Sequence, residues 1–533
     1  VLTWSAGDRT PKTIRVPIYN DPQVGLSPVF YVQLSSTTNA VISSSYGATV
    51  IEHWNNVLIT KPTINLTSGA SVILGTGTKL NASATLSNGV NASGNITFQL
   101  FDPNDKLAYT QTVSKVTGDV TYASGDYIPS VAGTYQWVVS YSGNSFNSPV
   151  STIKGSKPVI VAGSGATVLG NSLYLVGGNV NDQLNIVPIG TSPNGSTGIA
   201  VSGKLNNANI RQSFTNINTV YVTAFDGNDS IQFARSLTLN TFISGGNGND
   251  QLLLGNGNNV VKLGNGNDLV LLGDGTNTVT IGNSGSTGNV QVYLGNGANN
   301  KVSLAGNGNN EVQIGNGANN VVSIIGNGKE KVRVGDGANN VVSITGTGDH
   351  QINMGNGIND SVTITDSGKG NNNVQLGNGN NDSVTIQGLG GGNNQVQIGN
   401  GSNDIVSIAN NGNNQVVAGN GNAVKVTITN SGKGNNNVRV GNGNDDSVTI
   451  LGNGSGDEQV QVGNGNNDAV SITNTGNVQV KLGDGNNDNV KINNSGKGKI
   501  KVQVGKGKGD SVSILGNGSG VHQVQIGNGR NGT

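Results

Sequence analysis

The chain has 533 residues, with 29 basic and 29 acidic side chains, so its formal net charge is zero. Only 11% of residues are charged, which argues against the basic surface that nucleic-acid binding needs. Cysteine is absent, so neither a disulfide nor a thiolate metal site is available, and no apolar run reaches the roughly 20 residues of a membrane helix.

The length suits about three or four domains of about 150 residues. Val1 follows no Met and no leader, which reads as a processed or partial chain. Glycine takes 85 positions, a bias that usually accompanies disorder. Here the strict spacing of Val, Ile and Leu overrules it, because disordered sequence keeps no period. Every proline lies at or before Pro193, and beyond Phe242 the only aromatic is Tyr293. The first third is therefore ordinary all-β material and the rest is something else.

In residues 1–58, alternation predicts strands at Thr13–Ile18, Phe30–Leu34 and Ala48–Ile51. Gly7 to Ile18 and Phe30 to Leu34 resemble strands of the Calx-beta family, with the opening strands missing. The acidic residues that come next in that family are replaced by Gln23 to Ser27.

Residues 59–156 carry five or six strand-like runs, among them Asn95–Leu100 and Gly133–Val139, at sandwich-like spacing. The run Ala132–Trp137 followed by Tyr141–Asn144 resembles bacterial immunoglobulin-like repeats. Both resemblances imply β-sandwich spacers of long surface proteins.

Residues 157–245 predict irregular first coils that cap a regular repeat. From Gly246 to Ile281 a nine-residue phrase recurs, its glycines permitting a left-handed or tight turn. It resembles the calcium-binding nonapeptide of the repeats-in-toxin family, which implies a right-handed parallel β-roll with two nonapeptides per coil. From Gly295 onward the phrase V-Q-[IL]-G-N-G-x-N-[ND] and then V-[ST]-I recurs at 20 or 22 residues, and from Gly355 the steps run 22, 22, 20 in a longer period of 64. A short fixed period means that each unit buries its apolar face against its neighbours, so residues 246–533 predict a solenoid. Val302 and Leu304, with their counterparts, line one wall, and Val312 and Ile314, with theirs, the other. About fourteen coils at about 4.8 Å give a rod of roughly 65–70 Å. Asn296, Asn316 and Asn356, and Asn299, Asn319 and Asn339, predict amide ladders along the turns.

Asp250 and Asp268 stand 18 residues apart, one coil, at the acidic position of the nonapeptide, and Asp182 and Asp229 occupy similar turn phrases. The resemblance implies calcium at these four aspartates, and hard oxygen ligands suit that ion. Calcium is the one candidate cofactor. The bland alternative is a turn carboxylate that caps backbone amides. A second acidic column, Asp360, Asp382, Asp404, Asp446, Asp468, Asp488 and Asp510, begins where Asn300, Asn320 and Asn340 stop. Like charges about 5 Å apart repel, so it invites cations, or protons and hydrogen bonds.

His53, His350 and His522 are scattered, with no nucleophile motif nearby, so no catalytic residue is assigned. Sequons at Asn65, Asn81 and Asn95 permit glycans in a secreted setting. Thr533 stops inside a repeat, so both ends read as cut. The expectation is an all-β chain: two sandwich modules and a long parallel β-roll. It is expected to act outside the cell or at its surface, as a non-enzymatic structural rod of a bacterial surface layer, matrix or fibre that assembles with its own copies. The alternative is an adhesin whose roll orders on calcium; a weaker one is a secreted enzyme whose catalytic domain lies elsewhere.

Overall fold

A computed structural model of the protein describes residues 5, 7, 8, 10, 30–32, 48–50 and 59–527, less 70–71, 75–77, 192–196, 367, 389, 431 and 517. Among these the secondary structure is all β, without a helix. The strand expected at Thr13–Ile18 lies outside the described residues. Phe30–Val32 and Ala48–Val50 pair antiparallel.

From Ile59 two sheets form a sandwich. One contains Asn95–Phe101, Leu107–Ser114 and Gly133–Tyr141; the other contains Thr63–Ser68, Ala82–Ser87 and Thr121–Ala123. Alternating side chains point inward around Trp137 and Phe98, which are fully buried and meet edge to face at 6.3 Å. The module runs past the expected boundary at 156. Pro158–Ala162 pairs with Gly133–Tyr141 and buries Val159 and Val161, so the alternation of this run serves the sandwich.

The solenoid also starts earlier than its regular repeat. Ser172–Val176 pairs in parallel with Thr219–Thr223, and Gln183–Thr191 with Ser230–Phe233. The first step is 47 residues, Leu184 to Ile231, because an antiparallel hairpin, Thr197–Leu205 with Ala208–Phe214, is inserted in the coil. In the sequence this insertion shows only as irregularity. Together with the Gly165–Leu169 strand, the hairpin covers the sheet edge that a first coil would expose. Tyr174, Tyr221 and Phe242 stack outside the wall at 4.6 and 4.8 Å. Tyr174 and Tyr221 also join Ile73, Ile160 and Ala162 of the sandwich in one apolar cluster.

Beyond this cap lie two long sheets, of 17 and 18 strands among the described residues with the cap included, forming a parallel solenoid of about 14 turns. On one wall Val302 registers with Val322, Val342, Val362 and Val384, continuing to Val512. On the other, Val292 registers with Val312, Val332 and Ile352, continuing to Val524. Each regular coil as far as Val504 places four apolar side chains inside, as with Val302, Leu304, Val312 and Ile314, all at 2% exposure or less, while Val524 of the last described strand is exposed. Burial stabilises by about 1.5–3 kcal/mol per side chain. The resulting core is continuous from Leu173 to Val504.

Glycine serves closeness more than handedness. A Cβ on Gly317, Gly337 or Gly357 would lie 1.9–2.0 Å from the carbonyl oxygen of the glycine one coil before. The left-handed turn position goes instead to Asn299, Asn319, Asn339 and Asn359, with φ of 59–61°. Asn tolerates that region better than most residues.

Candidate functional site: two buried polar columns

At each edge where a strand meets its turn, one inward position holds a polar residue in most coils. The first edge column runs Asp182, Asp229, Asp250, Asp268, Val290, Asn310, Glu330, His350, Asn372 and onward. The second runs Thr241, Asn259, Asn277, Asn300, Asn320, Asn340 and then the acidic run from Asp360 to Asp510, broken at Val424.

The four aspartates singled out by the nonapeptide phrase therefore share one column, and each is at most 2% exposed. Backbone N–H groups donate down it: Asp182 to Oδ1 of Asp229 at 2.8 Å, Asp229 to Asp250 at 2.9 Å, and Asp250 to Asp268 at 3.0 Å. Asp182 also accepts from the amides of Asn206 and Gly178, which engages both its oxygens. The Oδ2 atoms of Asp229, Asp250 and Asp268 are buried without a partner. Burial pushes Asp229 and Asp250 up to about 7 and Asp268 to about 6, partly offset by the amide each accepts. Calcium takes six to eight oxygens. Among the described residues no three His, Cys, Asp or Glu side chains converge in a metal-binding group. One free carboxylate oxygen per coil is therefore a partial ligand set, and turn carbonyls would have to supply the balance.

His350, scattered in sequence, sits in the same column, 2% exposed with both ring nitrogens unpartnered, and burial lowers its pKa. Glu330, its register neighbour, is pushed up to about 7 by burial. Further along, Asn372, Asn394, Asn414 and Asn436 form a buried amide chain, each Nδ2 donating to the next Oδ1 at 2.8 Å. Its free acceptor, Oδ1 of Asn372, is on the His350 side, and its free donor, Nδ2 of Asn436, is on the side of Glu458.

In the second column each amide N–H from Asn340 to Asp382, and again from Asp446 to Asp488, donates to Oδ1 one coil ahead at 2.8–3.1 Å. Desolvation is the leading cause that raises Asp382, Asp468 and Asp488 to about 7 and Asp360, Asp404 and Asp446 to about 6.

The outer turns carry the expected ladders with a different main bond. The backbone N–H of Asn316 donates to Oδ1 of Asn296 at 3.0 Å, and that of Asn356 to Oδ1 of Asp336 at 2.8 Å. An acceptor oxygen is the common requirement, so Asp336 and Asp484 serve as well as Asn. A ladder not anticipated from sequence runs along the opposite turn through Asn289, Asn309, Asn371, Asn393, Asn413 and Asn435. Its phrase varies more, with Lys329 and Asp349 interposed, which hides its period. Asn65, Asn81 and Asn95 are exposed on the sandwich.

The fold and columns define a tandem-repeat parallel β-solenoid with Asn/Asp ladders, consistent with a β-roll. No known protein family, curated protein or solved structure matches the chain.

Proposed function

We propose that this chain is an extracellular structural protein, a non-catalytic rod of a bacterial surface layer, matrix or fibre that assembles with its own copies. The observation that carries this reading is the unbroken aliphatic core from Leu173 to Val504 between two in-register walls. Such an element sets distance and stiffness, at roughly 70 Å for the parallel stack. The sandwiches are Calx-beta-like and immunoglobulin-like spacers, on the motifs at Gly7 to Leu34 and Ala132 to Asn144. The coils are a repeats-in-toxin-like roll, on the nonapeptides from Gly246 to Ile281. Electron microscopy of the chain over a concentration series tests the proposal. Rods that associate into filaments or sheets support it; compact particles at every concentration count against it.

A second reading is a calcium-dependent adhesin whose roll orders outside the cell. It is favoured by the unpartnered Oδ2 atoms of Asp229, Asp250 and Asp268. Circular dichroism with calcium and with chelator separates the two, since a roll equally ordered in both removes the adhesin.

A further inference from the structure

The acidic column of the second edge carries an observation beyond its acidity. Its aspartates are at most 2% exposed, and each Oδ2 from Asp360 to Asp510 is buried without a partner. Upstream the same position belongs to Asn300, Asn320 and Asn340. Their Oδ1 atoms accept the preceding coil's amide in the same way. Their Nδ2 atoms donate to the carbonyls of Gly297, Gly317 and Gly337, three residues back. In the acidic coils Oδ2 lies beside the corresponding glycine. A Cβ on Gly357 would lie 2.8 Å from Oδ2 of Asp360, and one on Gly401 2.7 Å from Oδ2 of Asp404. An ionised carboxylate only accepts, and so does a carbonyl. Two acceptors do not satisfy each other, whereas a proton on Oδ2 restores the donor that Asn supplies.

We infer that the column from Asp360 to Asp488 is held as neutral carboxylic acids, each Oδ2–H donating to the carbonyl of the glycine three residues upstream, so that this part of the rod is tightened by acid and loosened by base. The proton comes from water and returns to it, and no other group changes.

Three observations agree with this. Val424 takes the column position between Asp404 and Asp446 and is fully buried; an apolar side chain suits neutral neighbours better than a file of charges. The charged groups acting on the column are its own members and Asp445, all acidic. The facing wall offers Met354, Leu376 and Ile398, while Lys425, Lys506 and Lys508 in the flanking segments are exposed. Desolvation raises the carboxyls towards 6 and 7. The folded rod thus keeps protons that the unfolded chain releases above 3.8, and its stability falls as pH rises through that interval.

The test compares the full chain with a variant in which the column aspartates from Asp360 to Asp488 are all replaced by Asn. Urea midpoints are measured at pH 5 and pH 8. The native chain is expected to have the lower midpoint at pH 8, and the variant to lose at least half of that difference. An unchanged pH dependence in the variant overturns the inference. So does saturable calcium binding, by calorimetry, that the native chain shows and the variant lacks. Infrared spectroscopy of the native chain at pH 5 provides a measurement independent of the variant's folding. A protonated-carboxyl carbonyl band that disappears on unfolding supports the inference, and its absence in the folded chain contradicts it.

Discussion

The backbone N–H of Asn340 donates to Oδ1 of Asp360, one coil ahead, at 2.8 Å. At this junction the second edge column passes from amides to acids with no change in the bond it makes. The walls repeat because apolar pairs must stack. The second column repeats because the amide N–H at its strand–turn edge is buried and takes a side-chain acceptor from the next coil. Both demands recur once per coil, which is why the period is strict.

The glycine column predicts a sharp contrast. Gly337→Ala places a methyl group 2.0 Å from the carbonyl oxygen of Gly317, so the coils must part, and overpacking of this kind costs about 1–3 kcal/mol or more. Gly391→Ala meets no atom within 4 Å and is expected to stay within about 0.5 kcal/mol. Urea denaturation of the two variants checks the contrast.

Inward and outward aliphatics on one strand should behave differently. Ile324 is fully buried and Ile325 is 57% exposed. Ile324→Ala should cost about 2–5 kcal/mol through lost burial and a cavity, while Ile325→Ala should cost about 0.5 kcal/mol or less. Thermal unfolding of both variants decides it, and equal losses would contradict the assigned wall.

The left-handed turn residue gives a third test. Asn339 has φ of 60° and donates to Oδ1 of Asn319 at 3.2 Å. Asn339→Gly keeps the conformation and is expected to cost under about 1 kcal/mol. Asn339→Val forces a β-branched residue into it and should cost about 1–3 kcal/mol. Thermal unfolding that ranks Val below Gly supports the assignment, and the reverse order contradicts it. Gly509, with φ of 78°, follows the same rule within the natural sequence.

The buried amide chain predicts an asymmetry at Glu458. Its register neighbour Asn436 has a buried Nδ2 that makes no hydrogen bond, and the Glu458 carboxyl is the polar group next to it along the column. Glu458→Gln keeps a polar neighbour for that donor and should be mild, whereas Glu458→Leu sets an apolar side chain beside it and should cost about 1–3 kcal/mol. Burial raises Glu458 to about 7, so its acid form is bound more tightly in the folded chain. The native chain should lose stability as pH rises from about 4.5 to 7, and Glu458→Gln should reduce that loss. Urea midpoints across this range provide the measurement.

Much of this architecture was legible in the sequence. Val302, Val322 and Val342 recur at a fixed step, and a parallel ladder is the arrangement that buries them all. The change from Asn340 to Asp360 within one column was visible for the same reason. Less legible were features without a period. The hairpin from Thr197 to Phe214 breaks the repeat that it caps. Tyr174, Tyr221 and Phe242 stack although their spacings, 47 and 21 residues, differ. His350 looks isolated in the chain because its column tolerates Asp, Val, Asn, Glu and Ile. Glycine's part in the turns was not fixed by spacing, which does not distinguish a positive φ from a close approach between coils.

The central claim is that coils stack one strand spacing at a time along a single axis. The absence of cysteine makes paired labelling clean. Spin labels are placed by Ser303→Cys with Ser407→Cys, and by Ser303→Cys with Ser513→Cys, pairs five and ten register steps apart on one wall. Dipolar electron resonance should give about 24 Å and about 48 Å, doubling with coil number at about 4.8 Å per step. Two distances that fail to scale this way, or a broad distribution for both, would contradict the ladder.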